Sequence, residues 1–342
     1  MTRPTVHDVA NEAGVSLATV DRVLNGRPGV RAQTVKRVQT AVSKLGYVRD
    51  TYAANLARQR EYRFAVLLPQ GPSQFVDTLK EALTEACAAH AADRISAQVF
   101  SIPLNDPHRV VRELRALQAT PLDGVAIMTT ETPQVRDAIL RLKSAGVPVV
   151  ALVADLPSSS RDYFVGTDSI SAGRTAGFLL GRFLKGVSGE ILVVTPSMLA
   201  RDSIERRLGF DAVIARDFPG LRVLPSVETH ADPDRTHAVI ARAAETYREI
   251  AGIYSMGAGN GPLLEALRAN RLTEGRALIV HELTPATRQA LLNGDVDAVI
   301  GQNIGHLVRS TLRILRAKCD NTPIYEAQER IRIDIVTREN LP

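Results

Sequence analysis

The chain has 342 residues, 45% hydrophobic and 23% charged, which excludes a disordered or fibrous protein and suits two or three compact units. No run approaches the ~18 uninterrupted apolar residues of a membrane span, and no charged-then-apolar leader opens the chain. The net charge of +5 is unevenly placed: residues 1–63 carry 11 Lys and Arg against 5 Asp and Glu, and the remaining 279 carry 31 against 32. A basic head on a neutral body points to a polyanion-binding module attached to something else.

The head reads as three helices. Thr5 and Asp8 form a cap, and Val6, Val9, Ala10 and Ala13 recur at helical spacing up to Gly14. Ser16 caps a second helix, Leu17 to Asn25, with Val20, Val23 and Leu24 inward. A third helix runs from Ala32 to Leu45, with Val35, Val38, Val42 and Leu45 inward and Gly46 as its stop. Two short helices joined through a Gly-Val-Ser turn, plus a third, predict a helix-turn-helix domain over 1–48. In such a unit the second helix enters the major groove, and Leu17, Ala18, Asp21, Arg22 and Asn25 form the face opposite the buried one. Arg22 can bond guanine O6 and N7 together, and Leu17 and Ala18 can touch a thymine methyl. Asp21 can accept from a cytosine amine or orient Arg22.

These residues carry a resemblance. Val6-His-Asp-Val-Ala-Asn-Glu-Ala-Gly-Val-Ser-Leu-Ala-Thr-Val-Asp-Arg-Val-Leu-Asn25, continued by Leu45-Gly-Tyr-Val48, resembles the opening signature of the LacI/GalR bacterial transcription regulators, without a gap. The resemblance implies DNA contact by Ser16, Leu17, Ala18, Thr19, Asp21, Arg22, Asn25 and Tyr47. Asp21 stands where the family has a serine, and Arg31 stands where a serine commonly caps the third helix. It also implies that the linker, 49–63, holds a hinge helix over Thr51 to Arg58 that orders on operator DNA beside its dimer mate. Ala53 then allows close approach and Leu56 wedges into the minor groove. The proline usual before that helix is replaced by Arg49-Asp50.

From Phe64 onward strand and helix alternate. The expected strands are 64–69, 124–128, 147–153, 164–166, 190–195, 252–256, 277–281 and 298–300. The expected helices include 75–90, 107–118, 134–145, 172–184, 207–215, 262–270 and 304–316. This alternation predicts parallel sheets, with ligands beyond the strand C-terminal ends. The order resembles the two-lobed type-I periplasmic-binding-protein fold, with lobes of roughly 64–166 plus 301–328 and 167–300 plus 329–342. By that resemblance, Ser73, Gln74 and Phe75 contact an effector after the first strand. Arg206 opens the pattern Arg-x-x-Gly-Phe, and Asn260, Glu282 and Gln302 sit at later strand ends. A guanidinium fork suits hydroxyls and carboxylates alike. Sugar binders of the fold often place an aspartate where Val153 stands, so Asp155 is the candidate substitute.

An enzyme is the main rival, because Gly257-Ala-Gly-Asn-Gly-Pro262 with Glu282 about 25 residues on echoes an NAD(P) fingerprint. Pro262 occupies the place of its third glycine, and no Gly-x-Ser-x-Gly or His-Glu-x-x-His occurs. A solute-binding protein without regulatory function is the other alternative. Two lone cysteines, Cys87 and Cys319, supply neither a disulfide framework nor a four-ligand zinc site. The expectation is a cytoplasmic, homodimeric repressor without cofactor or metal. It binds a palindromic operator and a small effector, whether sugar, polyol, sugar acid or cyclitol.

Overall fold

A computed structural model describes residues 4–24, 27–47, 60–89, 91–103 and 106–342. The chain divides into two compact units, Met1–Arg60 and Glu61–Pro342.

The first unit contains α1 (Val6–Ala13), α2 (Leu17–Leu24) and α3 (Ala32–Leu45). Thr5 and Asp8 close a reciprocal capping box on α1, and Gly14 and Gly46 adopt the left-handed conformation that ends α1 and α3. Ser16 Oγ accepts from Thr19 N at 3.2 Å and starts α2. Arg31 makes no side-chain cap on α3. Val9, Ala10, Ala13, Val20, Val38 and Ala41 form the small core. Val35, expected inward, is only half-buried, and Ala41, three residues after Val38, takes a buried place. Arg37 adds a tie from α3, donating through Nη2 to Ala13 O at 2.5 Å and Gly14 O at 3.1 Å. It satisfies carbonyls that the end of α1 leaves free.

The second unit has two lobes. The first lobe's sheet joins β1 (Tyr62–Pro69), β2 (Ile95–Ile102), β3 (Gly124–Ile127), β4 (Val149–Leu152) and β5 (Tyr163–Val165), all parallel, in the order β2-β1-β3-β4-β5. One face is covered by α4 (Gln74–Ala89), and the other by α5 (Pro107–Gln118) and α6 (Pro133–Ser144). The second lobe contains α7 (Ser169–Phe183), β6 (Gly189–Thr195), α8 (Arg201–Asp217), β7 (Leu221–Val223), β8 (Val227–Glu228), α9 (Pro233–Thr246), β9 (Ile250–Ser255), α10 (Asn260–Ala269), β10 (Ala277–His281), α11 (Pro285–Asn293) and β11 (Ala298–Gln302). Its sheet runs β12-β11-β10-β9-β6-β7, where β12 is Ile333–Val336, antiparallel to β11, and β8 pairs with β6. After β11, helix α12 (Ile304–Asp320) returns to the first lobe and buries Leu307, Leu312 and Leu315 beside Phe64 and Leu68.

Several elements depart from the sequence expectation. Strand β2 is an edge strand buried fully only at its ends, so it lacks a clean alternation. Strands β7, β8 and β12 are two to four residues long. Helices α9 and α11 each open on a capped Pro, Asp232-Pro233 and Thr284-Pro285. Helix α8 begins at Arg201, six residues before the expected start, and so takes Asp202 and Arg206 onto its first turns.

Candidate functional sites in the head and the body

On the head, Ser16, Leu17, Ala18 and Arg22 are exposed on α2, while Thr19 and Asp21 are half-buried. Leu17 is 41% exposed, an apolar side chain in water on the same short helix as exposed Arg22, residue types that suit thymine methyls and base edges. Asp21 pairs with Arg27 at 3.6 Å, so its carboxylate is drawn toward the residues after α2. Tyr47 packs against the head's core rather than standing free. Asn25, Ala53 and Leu56, and with them the expected hinge helix, lie outside the described residues.

In the body, a cavity of about 380 Å³ opens between the two lobes at the strand C-terminal ends. Ser73, Gln74, Phe75, Arg206, Asn260 and Glu282 all line it, brought together from four separate strand ends. Phe75, 7% exposed, is anchored in the first lobe's core at the start of α4. Gln74 Oε1 accepts from Ala286 N at 3.3 Å, joining the two lobes at the cavity rim.

Arg206 is the centre of the second-lobe wall, and the packing of α7 against α8 puts it there. A Cβ at Gly173 would fall 1.9 Å from Arg206 O, and one at Gly209 would fall 2.1 Å from Ile170 O. Only glycines let the two helix backbones approach this closely. Arg206 is 3% exposed. Its Nη1 donates to Met256 O at 2.5 Å and lies 3.5 Å from Asp202 Oδ2, while Nη2 lies 4.0 Å from Glu282 Oε1. Its Nε is buried without a partner.

Glu282 follows β10 at φ 68°, a left-handed conformation that costs a non-glycine residue about 1–3 kcal/mol. Thr287 Oγ1 donates to its carbonyl at 2.8 Å and helps hold that geometry. Burial pushes its carboxyl up to about 7, against the opposing pull of Arg206 and the hydrogen bond from Gln302. Val153, after β4, takes the same conformation at φ 66° and also lines the cavity. Facing strand ends in the two lobes thus carry matching strained residues.

Two expected contacts are placed elsewhere. Asp155 does not line the cavity; its carboxylate is held by Arg161 through Nε and, at 2.8 Å, through Nη2. Gln302 stands behind Glu282 rather than in the wall, donating from Nε2 to Glu282 Oε1 at 3.0 Å, with its own Oε1 buried and unpartnered. Asn260 is tied on both sides, accepting from Ser255 Oγ and donating to His281 O, each at 2.7 Å. It therefore fixes the ends of β9 and β10 as well as lining the cavity. Beneath it, His281 shares a 2.8 Å hydrogen bond with Tyr254 Oη, and burial followed by Arg206 holds the imidazole well below its usual range, hence neutral. Asp202, absent from the expected set, lines the cavity one helical turn before Arg206. Its i,i+4 spacing to Arg206 was the available signal.

Comparison with known proteins gives the same two parts. Residues 64–323 match the family described as Periplasmic binding protein domain, and residues 5–50 match Bacterial regulatory proteins, lacI family. Catabolite control protein A of Priestia megaterium is 29% identical over 167 residues, covering 46% of this chain and 48% of that protein. The HTH-type transcriptional regulator DegA of Bacillus subtilis is 26% identical over 176 residues, covering 51% and 50%. The chain thus spans about half the length of the curated relatives it matches. GanP, a glucose-galactose binding protein from Geobacillus stearothermophilus, superimposes with a TM-score of 0.73 at 17% identity, over 83% of this chain and 99% of its own, a likeness of fold.

Proposed function

The chain belongs to the lacI family of bacterial regulatory proteins and carries a periplasmic binding protein domain, and from that premise we propose that it is a ligand-controlled transcriptional repressor acting in the cytoplasm as a homodimer. The carrying observation is the union in one chain of a basic helix-turn-helix and a 380 Å³ cavity centred on a buried arginine. Exposed Arg22 and Leu17 on α2 read base edges of a palindromic operator, and Ala53 and Leu56 serve the linker's approach to the minor groove. The effector is a small polyhydroxylated molecule. Phe75 offers it an apolar face, and Arg206 and Glu282 offer a donor and an acceptor. Gln302 and Asn260 position that pair, and Ser73 and Gln74 close the rim.

A ligand that touches both lobes changes their relative free energies, and DNA affinity follows by linkage. The glycine-rich segment Gly257–Pro262, which runs into the start of α10, forms part of the cavity wall, and an effector cleft accounts for it without a dinucleotide. The test begins with selection of a binding sequence from random DNA by the full-length chain. Affinity for that sequence is then measured with and without each member of a sugar and polyol panel. At least one ligand changes it by about fivefold or more, the lower end of ordinary coupling. Affinity indifferent to every ligand that stabilises the protein would refute the proposal.

A further inference from the structure

Five charged residues line the cavity: Asp77, Arg201, Asp202, Arg206 and Glu282. Two are already matched. Asp77 pairs with Lys80 at 3.2 Å, and Arg201 pairs with Glu205 at 2.7 Å. The other three form one group in which a single cation, Arg206, stands between two carboxylates, at 3.5 Å from Asp202 and 4.0 Å from Glu282.

An arginine with no carboxylate beside it receives an anionic ligand well. Arg206 is in a different situation. One Nη1 contact is given to Met256 O, and both carboxylates lie within reach of any group that approaches the guanidinium. A ligand carboxylate or phosphate there meets the charge of Asp202 and, as pH rises above about 7, that of Glu282 as well, in a site where burial weakens screening. Among the described residues, the buried polar atoms without a partner at the cavity are Arg206 Nε, a donor, and Thr129 Oγ1, which can donate or accept, with Gln302 Oε1, an acceptor, behind Glu282. With the acceptor oxygens of Asp202 and Glu282, the site calls mainly for ligand O–H or N–H groups.

We infer that Asp202 is the charge selector of the cleft, so that the site takes neutral or cationic polyhydroxylated molecules and turns away sugar acids and sugar phosphates. The inference rests on the effector-binding reading above and narrows it. Asp202 is well placed for the role, since it sits in the first turn of α8, where the helix dipole favours a negative charge, and its side chain is 21% exposed toward the cavity.

The test is calorimetric titration of the full-length protein with a matched panel of aldopentoses and aldohexoses, each with its amino-deoxy derivative and its uronic acid. In the unmodified protein every acid binds at least about tenfold more weakly than its neutral parent, equivalent to about 1.4 kcal/mol. Asp202→Asn narrows that ratio by about tenfold, and Asp202→Glu, which restores the charge, widens it again. Melting temperatures of both variants establish that they are folded. If Asp202→Asn does not fold, the ratio in the unmodified protein and in Asp202→Glu decides. An acid that binds as tightly as its parent, or a ratio unmoved in folded Asp202→Asn, overturns the inference. A panel in which no member binds, whatever its charge, overturns the effector reading itself and the inference with it.

Discussion

The head and the body keep their charges in opposite ways. On the head, Arg22 stands exposed on a short helix, and Arg27 and Lys44 are well open to water. In the body, Arg206 and Glu282 are 3% and 9% exposed, and their positions are fixed by helix packing and a strained strand end. Exposed cations cost little to keep charged and are screened by salt, so the head is built for an extended polyanion. Buried charges keep their strength but must be matched, so the body is built for a small partner of defined chemistry. Salt should therefore act mainly through the first unit, and pH and small ligands mainly through the second.

The largest expected effect lies in the body. Arg206→Ala leaves Glu282 and Asp202 without their cation, and breaking a buried ionic group of this kind costs about 3–5 kcal/mol. Thermal unfolding reads that loss. Operator binding by the variant, assayed well below its melting temperature, should persist but no longer respond to effector. Retention of the full ligand response would show that the cavity is not the effector site.

A smaller effect separates pH from salt. The carboxyl of Glu282 is raised from 4.5 to about 7 by burial, so the folded ligand-free protein holds a proton there that the unfolded chain releases near pH 4.5. Stability contributed by that proton is present below about pH 4.5 and declines as pH rises to about 7. Glu282→Gln removes the titration and should gain up to about 3 kcal/mol over the parent at pH 8, with little difference at pH 4.5. Denaturant unfolding of both proteins at the two pH values checks this. Equal differences at both would mean that Glu282 is solvated in solution.

How far the sequence alone could reach follows the same division. The head's signals are local: the Thr5–Asp8 box joins residues three apart, and Gly14 and Gly46 mark their own helix ends. The body's strands announce themselves as apolar runs, but edge strand β2 and the short β7, β8 and β12 do not. Six of the eight candidate effector residues meet in one cavity because strand ends in parallel sheets converge there. Asp155 fails for a local reason, since Arg161, six residues on, captures its carboxylate. Asp202 escaped because Ala200, which precedes α8, makes no side-chain cap, so nothing marked a helix start before Arg206. That Gln302 backs Glu282 instead of facing the cavity depends on how β10 and β11 sit side by side, which no spacing reveals.

The smallest effect belongs to the head. Arg22→Ala should lose about 1–3 kcal/mol on the selected operator and relax preference at one base position. Repeating the selection with the variant reads both. An unchanged preference would assign Arg22 to phosphate contact or to solvent.

The division of labour itself is tested most directly by comparing the full-length chain with a fragment of residues 61–342 on the same selected DNA across a salt series. The account predicts that the full-length protein binds specifically, with affinity falling about a thousandfold between 50 and 200 mM salt if about six phosphates are neutralised. The fragment, which lacks the basic unit, should show no specific binding at any salt concentration while still melting cooperatively and binding the effector. A fragment that held the operator as tightly as the whole chain would contradict the account.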